Sequence, residues 1–488
     1  MAPRVDPVDM VYPEDSVDFV GAEGETVTRT SYTTSSFLPF AKEVKRPPKP
    51  TGTDDLPAGE FDKLHTHSVV KAKHYASSAS LLSSRMYETH YDGWGLPPLE
   101  VFESTLNSHL QEGKSALAAW AAEFYASDVF AQSVETSQHV VCEALWDKAV
   151  KTFPGMNLVL RNARPLKLED EVWHLPHVLQ VTTVAAALKW GLLLHVKDAD
   201  TNREFSLQIP MLREDISKIC GVDEFLGKAR EAFNRERSAE IQACGSLPAE
   251  LTGSLKGFAV SLYTGEIAGV SGVCFAKGMY VFNRPKLLDK VQGNLRDLKV
   301  RAPSVVRKAR DYIAARLLHI VLKLEQAGIG HLALDWDSLF LRQDGAFLLG
   351  NFGSSAPFGR PVTSELSNLS DQLEPGILLA GDDIGISPTH GTNLWSLGVL
   401  LFQLYTGKDN PYGIAEGTSR RNAAVHLAEG LLSRDVRSHV LVHELAAAGV
   451  PSRWAQLILR LLEPRSANRI NGFEVTKEFP DLLNLIYQ

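Results

Sequence analysis

"HLALDWDSLFL" fills residues 331–341, and "NFG" follows at 351–353. The first stretch sets apolar Leu334, Leu339 and Leu341 behind a leading His331, with Asp335, Asp337 and Ser338 among them. The second closes the apolar run "FLLG". Neither decides a fold alone, but what surrounds them does. Upstream, "SVVRKARDYIAARLLHIVLKLEQAG" repeats apolar residues at Val306, Ile313, Leu317, Ile320 and Leu324, the period of a core helix, and Gly328 is placed to stop it. Downstream, "TNLWSLGVLLFQLYTG" and "SRWAQLILRLL" predict two more core helices, with Asn393 or Thr392 positioned to cap the first and Ser452 the second.

Further outward the texture changes. Residues 175–285 read as strands: "VLQVTTVAAALKWGLLLHVKDAD", "REFSLQIPML", "GFAVSLYTGEIAGVSG" and "MYVFNRP" are short apolar or alternating runs between turn residues. One helix interrupts them at "DEFLGKAREAFNRERSAEI", where Phe225, Ala229 and Phe233 share a face. "LPPLEVFESTLNSHLQEGKSALAAWAAEFYASDVF" predicts helix again, with Pro98 near its start. Residues 1–60, rich in Pro, Thr, Ser and Gly, bury too little apolar surface to offset ordering, so a disordered or extended arm is expected. The expected organisation is therefore this arm, a helical N-terminal extension over 61–170, a strand-rich unit over 171–290 and a helical unit over 291–488, with no internal repeat. The class is α+β.

Composition excludes some functions. A net charge of −8 disfavours non-specific nucleic-acid binding, which depends on clustered Lys and Arg. No run of 18 apolar residues predicts a membrane span. The N-terminus lacks the apolar core of a signal peptide, so the expectation is a cytoplasmic protein or one whose leader has been removed. Cys142, Cys220, Cys244 and Cys274 are scattered and read as packed thiols. "HTH" at 65–67 and "HLPH" at 174–177 lack Cys or acidic partners at ligand spacing, so no metal is expected there.

A small strand-rich lobe with one helix, then a larger helical lobe, is the plan of the protein kinases, and signature segments follow in kinase order. "HLALDWDSLFL" resembles HRDLKPENLL, "FLLGNFG" the strand entering DFG, and "NLWSLGVLLFQLYTGKDNPYG" the DxWSxG helix. "LILRLLEPRSANRINGFEVTKEFP" is similar to the kinase C-terminal segment, with Arg469 on its Arg. "ADTNREFSLQIPML", "MYVFNRPKLLDKVQGNLRDL" and "GAFLLGNFGSSAPFG" narrow the resemblance to the rhoptry kinase and pseudokinase family of coccidian parasites. That family carries an N-terminal extension folded onto the small lobe, which suits residues 60–170. The resemblance implies a bilobal protein-kinase fold.

It also implies a dismantled reaction centre. Phosphoryl transfer asks the protein to hold phosphates and metals and to orient the hydroxyl. The position of the base falls on Ala333, whose methyl group accepts no proton. The second-metal Asn falls on Ser338, a shorter ligand. The principal metal carboxylate falls on Asn351, a neutral amide. The phosphate-pairing Lys falls on Gln208, and the glycine-rich loop over 178–196 holds a single Gly191. Successive positions of such a loop point in different directions, so Asp335 and Asp337 are not expected to replace the base but to face solvent or cap the turn. The expectation is a pseudokinase with no cofactor, no metal and no tight nucleotide binding.

Other matched residues serve the fold. His331, Phe352 and Gly353 are expected between the lobes, and Trp395 and Arg469 as anchors of the helical lobe. In kinases that Arg pairs with a Glu whose position here falls on Ile377, so Glu374 is expected to take over. Glu231 is the expected counterpart of the helix Glu that pairs with the strand Lys and, that Lys being absent, an ordinary surface charge. The loop 354–372 carries Thr363, Ser364, Ser367 and Ser370, open to modification by another kinase. The resemblance points to protein partners, either a host factor or an active parasite kinase, and to secretion; the alternatives are an atypical kinase with a rebuilt site and a cytoplasmic structural component.

Overall fold

The computed structural model describes residues 18–20, 26–28, 96 and 99–483 except 147–152, 169, 171–173, 189–190, 215–220, 362–372, 380–386, 416–417, 419–421 and 423–433. Most of the expected arm, "HTH", Cys220, the four hydroxyl residues of the 354–372 loop and much of the segment 414–432 lie outside these.

The run "GLLLHV" has no polar face to offer solvent, and it becomes a strand buried on both sides. It belongs to a sheet of eight strands: β1 (Asn157–Pro165), β2 (Val178–Leu188), β3 (Gly191–Asp198), β4 (Glu204–Arg213), β5 (Tyr263–Ile267), β6 (Val273–Ala276), β7 (Met279–Phe282) and β8 (Lys286–Leu288). The order is β8-β5-β1-β2-β3-β4-β7-β6, and β8 also pairs with β4, so the sheet curls back on itself. All these pairings are antiparallel. Gly191 is forced where β3 starts: a Cβ there would lie 2.5 Å from the Ile209 carbonyl oxygen.

The extension departs from expectation at one place. β1 lies inside the stretch read as helical, yet pairs with β2 and β5. Its alternation is short, and the register shifts between Arg161 and Arg164, which blurs the strand pattern. Upstream of it the extension forms helices α1 (Ser108–Phe124) and α2 (Asp128–Trp146).

Helix α3 (Val222–Cys244) packs Phe225 and Ala229 against Phe282, with Phe233 at the edge of that cluster. Below the sheet, α4 (Pro303–Ala327) begins on a proline and ends at Gly328, whose φ of 66° is the left-handed C-cap glycine tolerates best. α5 (His390–Thr406) is buried from Gly391 to Tyr405. Its cap is a Thr389–Thr392 capping box, so Asn393 lies inside the helix rather than at its start. α6 (Ser452–Leu461) is preceded by Pro451 and not capped by Ser452. A hairpin of β9 (Leu339–Leu341) and β10 (Phe347–Leu349) completes the floor beneath the sheet.

The extension is fastened to both lobes. α1 runs along α4, where a Cβ at Gly113 would lie 3.0 Å from that of Tyr312. The buried Arg316 of α4 reaches Glu103 at 2.5 Å and donates to the Phe347 carbonyl at 2.6 Å, joining extension, helix and floor. At the α1–α2 corner, Tyr125 packs edge-on against Phe130 and donates to the Asn294 carbonyl at 3.3 Å. That carbonyl belongs to the connector between the lobes, and Gly293 beside it has no Cβ because Tyr125 occupies the space. No helix among the described residues is long and apolar enough to cross a membrane.

Candidate functional site

The cleft between the lobes is lined from above by β4, α3 and β8, and from below by residues 333–338 and 351–354. Its cavity has a volume of about 80 Å³.

Gln208 stands on β4 facing this cavity, directly opposite Lys286 of β8 in the β4–β8 register. Lys286 forms an ion pair with Glu236 of α3, the two side chains being 10 % and 12 % exposed. Burial alone would lower the Lys286 pKa, but Glu236 and Glu240 hold it above the ordinary lysine value. Glu240, fully enclosed one turn further along α3, is pushed up to about 7 by burial and accepts from Ser261 at 3.1 Å. The reading that the cleft has lost its lysine therefore needs correction. Position 208 holds none, but the neighbouring strand brings one to the same place. The acid that meets it is Glu236, whereas Glu231 is exposed on the surface of α3.

On the floor, Ala333 lines the cavity with its methyl group. Ser338 lines it too, but its polar groups are taken up by its own loop: its backbone N–H and hydroxyl meet Asp335 Oδ1, each at 3.0 Å, and the hydroxyl also donates to the Ala333 carbonyl. Asp335 thus caps the short turn Trp336–Ser338. Asp337 pairs with Arg296 at 3.1 Å. Asn351 takes left-handed backbone at φ 61°, which Asn adopts more readily than most residues, and its amide reaches the Asp337 carbonyl at 3.5 Å.

His331 and Phe352 are fully buried against each other, ring centroids 5.1 Å apart. His331 donates its backbone N–H to Asn393 Oδ1 at 2.8 Å, and its ring meets the Gly350 carbonyl at 2.8 Å. Burial lowers its pKa to about 4. Asn393 in turn donates to Glu325 at 2.9 Å and to the Ile329 carbonyl at 2.7 Å. Sequence reading missed this inward role, because a polar residue near a helix start first suggests a cap. Gly353 accepts from Arg235 at 3.4 Å and lies beside Glu236, with no side chain between helix and floor.

Arg469 is wholly buried and meets Glu374 at 2.6 Å, donates to the Gly391 carbonyl at 2.6 Å and stacks over Trp395 at 5.1 Å. Thr392 donates to the other Glu374 oxygen at 2.7 Å. Ile377 packs instead on the apolar cluster of Leu332, Ala356 and Leu373.

Towards the connector the cleft is closed by its own side chains. The Val291 N–H donates to the Ser206 hydroxyl at 2.9 Å, and its carbonyl receives the His195 ring N–H at 2.8 Å. Burial lowers the His195 pKa, which keeps the ring neutral for this role. Around them Leu193, Leu288, Val291 and Phe340 form one apolar cluster with Phe130 and Val134 of the extension.

This architecture is that of a protein kinase. A kinase-like family model matches residues 282–421. In three dimensions the chain is similar to ROP2 from Toxoplasma gondii, described as a virulence factor with a protein-kinase fold and no enzymatic activity: 14 % identity, 76 % of this chain and 95 % of that one, TM-score 0.54. It is similar also to the ROP18 kinase domain in complex with AMP-PNP and sucrose, at 15 % identity, 78 % and 96 % coverage and TM-score 0.51. A rhoptry kinase from Toxoplasma gondii aligns at 15 % identity over 77 % of this chain and 93 % of that one, TM-score 0.51. No curated protein matches the chain in sequence. At these identities the likeness establishes the fold, α+β and bilobal.

Proposed function

We propose that this chain is a pseudokinase of the rhoptry family that binds other proteins and transfers no phosphate. The observation that carries the proposal is the cavity of about 80 Å³ where a nucleotide would sit. Ligand pockets of small molecules run to about 300–1,000 Å³. The lining supports it. Ala333 offers no base, Asn351 no negative charge for a metal, and Ser338 is turned into its own loop. Lys286 carries a charge, but two carboxylates already share it. The connector backbone of Val291, where an adenine ring would pair, is satisfied by Ser206 and His195.

Binding, on this reading, uses the outer surfaces of a rigid two-lobed body, and the partner is a host factor or an active kinase of the parasite. The test has two parts. Thermal unfolding of the full chain is followed from micromolar to millimolar MgATP, and transfer of labelled γ-phosphate to a generic protein substrate is measured. A flat melting temperature and no transfer are expected, since a ligand bound only to the folded state raises stability by RT ln(1 + [L]/Kd).

A second reading, an atypical kinase with a rebuilt site, draws on the Lys286–Glu236 pair. It requires a magnesium-dependent rise in melting temperature and phosphate transfer that Lys286→Met abolishes.

A further inference from the structure

Above the cleft, at the far end of β3, the turn "DADTNRE" leads into β4 and holds Asp198 and Asp200. His174, in the "HLPH" segment before β2, lies beside both. Its Nε2 is 3.1 Å from Asp198 Oδ2 and 3.8 Å from Asp200 Oδ2. One ligand atom from each of the three residues lies within 4.8 Å of the others. The sequence spacing around "HLPH" offered no acidic partner, and the fold supplies two from the next hairpin.

Two features separate this group from an ordinary surface ion pair. Although His174 Nε2 is close to a carboxylate, it makes no hydrogen bond among the described residues, so the ring nitrogen is not aimed as a donor to it. Asp198 is fully buried, and its Oδ1 also lacks a hydrogen-bond partner among the described residues, while Oδ2 accepts from the Thr201 N–H at 3.0 Å and from its hydroxyl. A buried carboxylate oxygen left unpaired is costly. A cation held by Nε2 and the neighbouring carboxylates gives the orphan ring nitrogen a partner and balances the buried negative charge of Asp198. Asp200, 62 % exposed, leaves one side of the group open to water.

We propose that His174, Asp198 and Asp200 form a divalent metal site of the Zn²⁺ class, completed by water. One imidazole nitrogen with two carboxylate oxygens is a borderline donor set that suits Zn²⁺, whereas Mg²⁺ and Ca²⁺ favour oxygen alone. The bound metal fastens the segment entering β2 to the β3–β4 turn. The site holds structure in the small lobe and takes no part in the cleft.

The experiment uses the full chain, stripped with a chelator and dialysed. Zn²⁺ is titrated by calorimetry, Co²⁺ by its visible absorption, and Mg²⁺ serves as the comparison. One Zn²⁺ per chain is expected, with a higher melting temperature and no effect of Mg²⁺. Asp200→Asn, on an exposed side chain, and His174→Gln are each expected to weaken that binding at least about tenfold, or about 1.4 kcal/mol. Lost stoichiometric binding in the wild-type chain overturns the proposal. So does unchanged affinity in Asp200→Asn, which would assign the Zn²⁺ to other histidines.

Discussion

Each lobe holds a buried ion pair, and the two are built by opposite routes. In the helical lobe the cation is Arg469 and the acid is Glu374, while Ile377, where the resemblance put the acid, packs in an apolar cluster. In the small lobe the cation is Lys286 on β8, opposite Gln208 of β4, and it meets Glu236. The difference is in the surroundings. Arg469 is fastened by three carbonyl groups and an aromatic ring besides its acid, whereas Lys286 shares its charge between two carboxylates beside a small cavity. What both pairs preserve is charge balance inside a fold, not a position in a motif.

The largest effect should come from the helical lobe. Arg469→Leu leaves Glu374 buried without its cation and should cost about 3–5 kcal/mol in urea unfolding. A loss below about 1 kcal/mol would place the pair among the decorative ones. Lys286→Met should cost about 1–3 kcal/mol, less because Glu240, with its pKa near 7, can take up a proton instead. In a Glu236→Gln background the cost of Lys286→Met should shrink, and strictly additive losses would dissolve the pairing.

The lobes also differ in how acid reaches them. Burial lowers His319 to about 3 and His331 to about 4, both in or beneath the helical lobe's core. In the unfolded chain each returns to about 6.5. Between those values the unfolded state binds more protons, so stability is fully present above about pH 6.5 and falls as pH drops towards 4. Glu240 works the other way: its raised pKa means burial costs nothing below about 4.3 and progressively more as pH rises to 7. A melting temperature that stays level from pH 7 to 5 would show the two histidines open to water. The smallest expected effect is that of Ala333→Asp with Asn351→Asp. Both carboxylates return, yet MgATP should leave the melting temperature unmoved, because cavity and connector stay closed. Binding by that variant would show the cleft to be adaptable.

How much of this could be read from the chain depends on how local the cause is. α4 announced itself through a regular apolar period and Gly328, and Ala333 and Asn351, singled out through the kinase resemblance, both line the cleft. Glu374 followed from the cost of an unpaired buried Arg. Lys286 was illegible, because only the register between two strands far apart in sequence puts it opposite Gln208. Glu231 and Glu236 lie five residues apart on α3, about 140° around a helix, and nothing local says which one faces the cleft. The His174 group was hidden for the same reason as Lys286: its members meet only after two hairpins close.

Tyr125 on Gly293 carries one further consequence. An enzyme of this architecture must open and shut about its connector to admit substrate and let product go. Here an aromatic ring from the extension sits on that connector, and Ser206 and His195 lace its backbone to the roof. On the proposed non-catalytic reading there is no product to release, and a seized hinge gives up nothing. The same reading makes the chain a gauge: two faces, one on each lobe, held at a fixed distance, so that the proposed partner is measured rather than grasped.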